Sequence, residues 1–211
     1  MYKTGVSEII SKDQPSISST KKLVKKILFL ILLFQTSAFS QDLGKAYFAG
    51  GCFWCMEESF EKKEGVLEVI SGYSGGTTKN PTYKEITYGK TGHFETIEII
   101  FDKDKINYKD LLNHFWKNID PFDVYGQFCD KGYSYRSAAF YKNDQQKDLI
   151  EKFKLKLEKK FNKKIVTYVR KFDKFYKAED KHQNYYEEKF LNYLSYKKAC
   201  GREETLNRIW N

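Results

Sequence analysis

The chain has 211 residues, 41% of them hydrophobic and 17% aromatic. That is enough for one well-filled core and short of two full domains. The formal charge of +9 raises nucleic acid or anionic membrane as partners, but residues 1–40 hold six lysines against Glu8 and Asp13, and the +5 that remains is ordinary for a soluble domain.

Residues 1–40 read as an export segment. KKLVKK is a positively charged start, ILFLILLF a short apolar run, and Ala38-Phe39-Ser40 before Gln41 resembles a small-residue cleavage site. Ile27–Phe34 is too short to span a bilayer, which takes about 20 apolar residues. An uncleaved amphipathic anchor is the competing reading. The mature chain would then be a single domain over residues 41–211, periplasmic or associated with the cell envelope, where thiols need a dedicated source of electrons.

From Lys45 the pattern alternates strands and helices. KAYFAG is a strand running into Gly50-Gly51, and CFWCMEESFEKK is a helix with Phe53, Met56 and Phe60 on one face and Gly65 as its stop. VLEVISGY is a second strand, closed by Gly75-Gly76. TIEIIFD is a third, with Ile97, Ile99 and Phe101 alternating against Thr96, Glu98 and Ile100. Asn107 caps a helix whose Tyr108, Leu111, Leu112, Phe115 and Trp116 follow the i, i+3, i+4, i+7, i+8 pattern. SAAFY is another strand. Asn143-Asp144 opens a Lys-rich helix carrying Ile150, Phe153, Leu157 and Phe161, and IVTYVRKF returns as a strand. Strands interleaved with helices predict an α+β (α/β) sandwich. The lysines between Lys147 and Lys164 lie opposite the apolar stripe, so they form a solvated face rather than a nucleic-acid groove.

GCFWCMEESF, Gly51–Phe60, carries the chemistry. A helix starting at Cys52 puts that thiol beside unpaired backbone N–H groups at the positive end of the helix dipole, which favours the thiolate. Gly50 and Gly51 leave the approach to it open, and Phe53 and Trp54 can wall an apolar pocket or serve as plain core. C-x-x-C also admits a zinc half-site or a dithiol pair. Zinc needs two further ligands, usually a second close pair, and neither the remaining cysteines, Cys129 and Cys200, nor His93, His114 and His182 supply one. No metal is expected. A thiol–disulfide exchange protein using Cys52 and Cys55 stays open at this point.

GCFWCMEESFEKKEGV, GYSGG, NPTYKEI, TGHFETIEIIFD, QFCDKGYSYRSAAFY and FYKAEDKHQNYY follow in this order over about Lys45 to Tyr186. With them the chain resembles the methionine sulfoxide reductase A family, the peptide-methionine (S)-S-oxide reductases. The resemblance implies a ferredoxin-like core with a mixed sheet and flanking helices, and no metal or organic cofactor. It makes Cys52 the nucleophile on the sulfoxide sulfur, leaving methionine and a cysteine sulfenic acid. It makes Glu95 the acid. The strand parity agrees, since Glu95 shares a face with Ile97 and Ile99, where burial favours the protonated carboxyl.

The resemblance further assigns Tyr83 and Tyr135 as phenol donors to the sulfoxide oxygen, Asp130 as an organiser of the pocket, and Phe53 and Trp54 as walls for the methyl group. It implies oxidised proteins and peptides as substrates, a thioredoxin-like dithiol as electron donor, no nucleic acid, and a monomer. The chain departs from the family in having Phe128-Cys129 before the aspartate, where Gly-Asn is common. It also has a lone Cys200 well beyond His182 in place of a glycine-rich tail with resolving cysteines. Candidates for the thiol that resolves the sulfenic acid are therefore Cys200, Cys55 and Cys129, in that order.

Overall fold

A computed structural model describes residues 41–211, and the export reading of residues 1–40 lies outside them. Among the described residues there are eight strands. Six form one mixed sheet in the order β7-β6-β1-β3-β2-β8. They are β1 (Leu43–Gly50), β2 (Val66–Ser74), β3 (Phe94–Asp102), β6 (Ser137–Tyr141), β7 (Tyr168–Lys171) and β8 (Phe175–Lys177). β6 and β7 run parallel and the other neighbours antiparallel. β4 (Gly126–Gln127) and β5 (Asp130–Lys131) make a small separate ladder.

The strands arise where β-branched and aromatic residues alternate, and the central pair is buried on both faces. On one face Phe48 stacks on Phe115 at 4.7 Å, between α1 (Phe53–Glu61) and α3 (Tyr108–Lys117). Each such buried aromatic contributes on the order of 2 kcal/mol through the apolar area it removes from water. On the other face, Tyr47 stacks on Phe172 at 3.8 Å beside Phe94 and Phe140. The polar residues of TIEIIFD therefore do not meet solvent. Glu98 is covered, and it accepts hydrogen bonds from the Tyr47 hydroxyl at 2.5 Å and Lys45 Nζ at 3.0 Å.

The capping signals work as the residue types dictate. Asn107 Oδ1 accepts from the Asp110 amide at 3.0 Å, and Asn143 Oδ1 from the Gln146 amide at 2.9 Å. The Lys-rich helix α4 (Asp144–Phe161) buries Ile150 and Leu157 and points its lysines outward. A short helix α2 (Tyr83–Tyr88) begins in a complete capping box between Thr82 and Glu85.

Beyond β8 the chain adds α5 (Tyr185–Glu188), α6 (Phe190–Ala199) and α7 (Arg202–Trp210). These return to the first helix. Tyr193 Oη donates to Glu58 at 2.5 Å, and Trp210 Nε1 donates to the Ile119 carbonyl at 3.1 Å.

Candidate active site

Gly51 turns the chain from β1 into α1 with φ +82°, and a side chain there would press on Gln127 Cβ at 2.6 Å. At Gly50 a side chain would meet Met56 Sδ at 2.5 Å. The two glycines thus serve the packing of the turn, rather than keeping an open path to the thiol. Cys52 is the N-cap of α1, as its position after the glycines predicts.

Beside it, Glu95 Oε2 accepts the Phe53 amide at 3.0 Å. The carboxyl is buried, 2% exposed, among Ile97 and Ile99 on its own face of β3. Burial pushes its pKa well above the usual carboxylate range, with the charges of Asp130 and Cys55 adding to the rise and the Phe53 amide opposing it. Burial therefore favours the protonated, donating form of Glu95. The Tyr83 and Tyr135 hydroxyls stand 3.4 Å apart, and burial holds both phenols protonated. Glu95, Tyr83 and Tyr135 thus form one cluster of proton donors next to Cys52.

Phe53 and Trp54 make the apolar wall. Trp54 stacks on Tyr185 at 3.8 Å, and Phe53 and Tyr83 close on the His182 ring at 5.3 and 4.4 Å. Both His182 ring nitrogens are buried without a hydrogen-bond partner, and burial pushes its pKa down. His182 is a neutral aromatic wall here.

The cysteines divide into two pairs. Cys52 and Cys55 are free and share one buried cluster with Tyr193, flanked by Trp54, Tyr185 and Tyr196. Cys129 and Cys200 are joined by a disulfide with Cα atoms 4.9 Å apart. Cys200, first among the resolving candidates, is thus bonded to the third, while Cys55 stands beside Cys52. Asp130 offers its carboxylate within 4.8 Å of the disulfide sulfurs, but those sulfurs are spent on each other. Asp130 Oδ2 accepts from Tyr196, whose hydroxyl also reaches Cys52.

The thiol electrostatics differ from the helix-dipole expectation. Burial pushes Cys52 well above an ordinary thiol, with Cys55 and Glu95 adding to the rise. Cys55 is lowered to about 7, first by the adjacent Cys52 thiol, then by the Arg202 guanidinium and Tyr193, against burial. Of the two thiols, Cys55 is the one whose surroundings favour the thiolate.

The structure brings the sequence-predicted Glu95, Tyr83, Tyr135, Phe53 and Trp54 together around Cys52, and adds His182, Tyr185, Tyr193, Tyr196 and Arg202, which had no role assigned from the sequence. HQNYY held part of the signal. The three residues on α6 and α7 lie too far along the chain for any local pattern to place them.

A family model described as "Peptide methionine sulfoxide reductase" matches residues 44–211. A peptide methionine sulfoxide reductase MsrA of Listeria monocytogenes serotype 4b is 46% identical over 172 residues, covering 81% of this chain and 97% of that protein. The MsrA of Bacillus velezensis is 46% identical over 167 residues, covering 78% and 94%. Among solved structures, methionine sulfoxide reductase A of Corynebacterium diphtheriae aligns with a TM-score of 0.64 at 29% identity, covering 71% of this chain and 76% of that one. Reduced Mxr1 of Saccharomyces cerevisiae aligns with a TM-score of 0.65 at 27% identity, covering 69% and 85%. The donor cluster around Cys52 and these matches lead to one conclusion: the chain belongs to the peptide methionine sulfoxide reductase family.

Proposed function

We propose that this protein reduces the S epimer of methionine sulfoxide, in proteins and peptides and as the free amino acid, through the Cys52 site. The observation that carries this reading is the convergence of one protonated carboxyl and two phenols on a single buried thiol. A sulfoxide needs its oxygen protonated as its sulfur is attacked, and such a cluster supplies the proton.

The substrate methyl packs on Phe53 and Trp54, and the oxygen takes hydrogen bonds from Glu95, Tyr83 and Tyr135. An apolar wall on one side and donors on the other fit only one configuration at sulfur. Cys52 then attacks the sulfur, its proton passing to the Cys55 thiolate. The sulfoxide oxygen, protonated by Glu95, ends on Cys52 as a sulfenic acid, and methionine leaves with two electrons more than it brought.

Recycling proceeds through Cys55, which stands next to Cys52 while Cys200 is held by Cys129. Cys55 sulfur attacks Cys52 sulfur, the S–O bond breaks, and oxygen leaves as water. A thioredoxin-like dithiol then returns two electrons to the Cys52–Cys55 disulfide. The enzyme acts as a monomer after export directed by residues 1–40. The Cys129–Cys200 disulfide accords with an oxidising compartment.

The test is epimer-resolved consumption of racemic methionine sulfoxide with dithiothreitol as reductant. Loss of the S epimer alone, abolished in Cys52→Ser, is expected. Consumption of both epimers, or of neither, contradicts the proposal.

A further inference from the structure

The guanidinium of Arg202 is 4% exposed and takes part in no ion pair among the described residues. Its hydrogen bonds go to neutral acceptors only: the Gly50 carbonyl at 3.3 Å, the Asn118 carbonyl at 2.6 Å and Met56 Sδ at 3.2 Å. Its face lies over the Phe128 ring at 4.5 Å. A buried cation without an anion costs several kcal/mol, so an uncompensated one in a native fold calls for a counter-charge.

Its surroundings narrow the choice. Glu58 is already engaged by Lys62 at 2.7 Å and Lys197 at 2.8 Å, which hold its pKa at about 2. Asp130 feels the guanidinium at a distance but makes no ion pair with it, its Oδ2 taking the Tyr196 hydroxyl instead. Of the other acidic groups lining the same cleft of about 350 Å³ as Arg202, Glu203 is exposed to solvent and Cys55 is buried. Cys55, Glu58, Ser59 and Lys62 repeat at i, i+3, i+4, i+7, so this cleft lies along one face of α1. Neither Phe53 nor Trp54, the substrate wall, lines it.

We propose that Arg202 is the positioning residue that holds Cys55 as a thiolate, the form that attacks oxidised Cys52. The backbone is built for this. Arg202 opens α7 two residues after Cys200, and the Cys129–Cys200 disulfide ties that corner to Phe128–Asp130. The Cys129 amide, 3.2 Å from Cys200 Sγ, completes the corner. The titratable and charged groups around Cys55 are Cys52 on the turn, Glu95 on β3, Asp130 on β5, Tyr193 and Tyr196 on α6 and Arg202 on α7, with Glu58, Lys62, Lys63, His114, Lys197 and Glu203 along the cleft. Among these Arg202 is the buried cation, while Lys62 and Lys197 are paired with Glu58. In the attack the thiolate of Cys55 supplies the electron pair of the new S–S bond, and the Cys52 S–O bond breaks with oxygen leaving as water after protonation. A dithiol reductant then reopens the disulfide, and Cys55 returns to the thiolate beside Arg202.

The role in turnover rests on the cycle proposed above, but the ionisation does not, and the test uses no sulfoxide. In the full chain carrying Cys52→Ser, with the Cys129–Cys200 disulfide closed, Cys55 is the single free thiol. Its thiolate ultraviolet absorbance is followed against pH. The serine hydroxyl keeps a hydrogen-bond donor in place of the Cys52 thiol, so a midpoint below the ordinary thiol range is expected. Adding Arg202→Met should move the midpoint up by about one unit, which is roughly tenfold less thiolate at neutral pH, while Arg202→Lys keeps most of the effect. In the chain with native cysteines, Arg202→Met should slow Cys52–Cys55 disulfide formation about tenfold. A parent midpoint at about 8.5 or above, the ordinary thiol range, overturns the proposal whether or not Arg202→Met folds. So does a midpoint that Arg202→Met leaves unmoved. Either result leaves the reductase reading standing.

Discussion

The backbone amide of Phe53 donates to Glu95 Oε2 at 3.0 Å, which ties the first turn of α1 to the third strand and sets the acid beside the nucleophile. One hydrogen bond spans 42 residues of sequence and fixes the distance between the two ends of the proposed reaction. Glu95 is held protonated chiefly by burial. Glu95→Ala should therefore lower kcat about 100-fold by removing the proton donor. Glu95→Gln keeps a hydrogen-bond donor and should lose less. Because the native carboxyl works in its protonated form, kcat/KM should fall as pH rises through its pKa, and Glu95→Gln should lack that descending limb.

Tyr83 and Tyr135 present their hydroxyls 3.4 Å apart, close enough for either to serve one oxygen atom. Each single change to Phe leaves the other donor in place and should cost about tenfold or less in kcat/KM. The double change should cost more than the product of the two singles, because redundant donors are strongly non-additive. Steady-state kinetics on the four variants of the cycle check this.

Glu57 sits on α1 at 0% exposure, with Oε1 accepting from the Asn184 amide at 3.0 Å and Oε2 from the Ser71 hydroxyl at 3.1 Å. It holds the HQN segment against the helix that carries Cys52. Burial raises its pKa to about 7. The native state therefore keeps a proton that the unfolded chain has released, and this contribution to stability is full below about pH 4 and lost as pH rises through 7. Urea midpoints should show Glu57→Gln gaining on the native chain by about 2 kcal/mol between pH 5 and pH 8.

The Cys129–Cys200 disulfide closes a separation of 71 residues and anchors the C-terminal helices to the loop carrying Asp130. Cys129→Ser should lower unfolding free energy by about 2–4 kcal/mol, measured by urea unfolding, with a steeper slope because the unfolded chain opens further without the cross-link. The native chain should show the same loss in dithiothreitol.

The strands that define the sheet and the helices α1, α3 and α4 were legible because each carries its own periodicity, from the alternation of Ile97, Ile99 and Phe101 to the stripe of Leu111, Leu112 and Phe115. β4, β5 and β8 were not, since two or three residues make no pattern. α6 buries only Tyr193 and leaves Phe190, Leu191 and Leu194 exposed, so its apolar residues mark no face. The donor cluster was readable from short motifs. Arg202 was not, because an arginine in REETLNRIW looks solvent-facing until the disulfide corner folds it inward. The pairing of Cys129 with Cys200 was hidden for the same reason, as was the environment that favours the thiolate at Cys55.

The most direct measurement is a single turnover without reductant. The full chain is mixed with excess racemic methionine sulfoxide, methionine is counted per chain, and the cysteine pairs are mapped by peptide mass spectrometry. The expected result is one methionine per chain, drawn from the S epimer, with a new Cys52–Cys55 disulfide and Cys129–Cys200 retained. Methionine production with a Cys52–Cys200 or Cys52–Cys129 linkage would contradict the assigned recycling, and no methionine at all would contradict the reductase site itself.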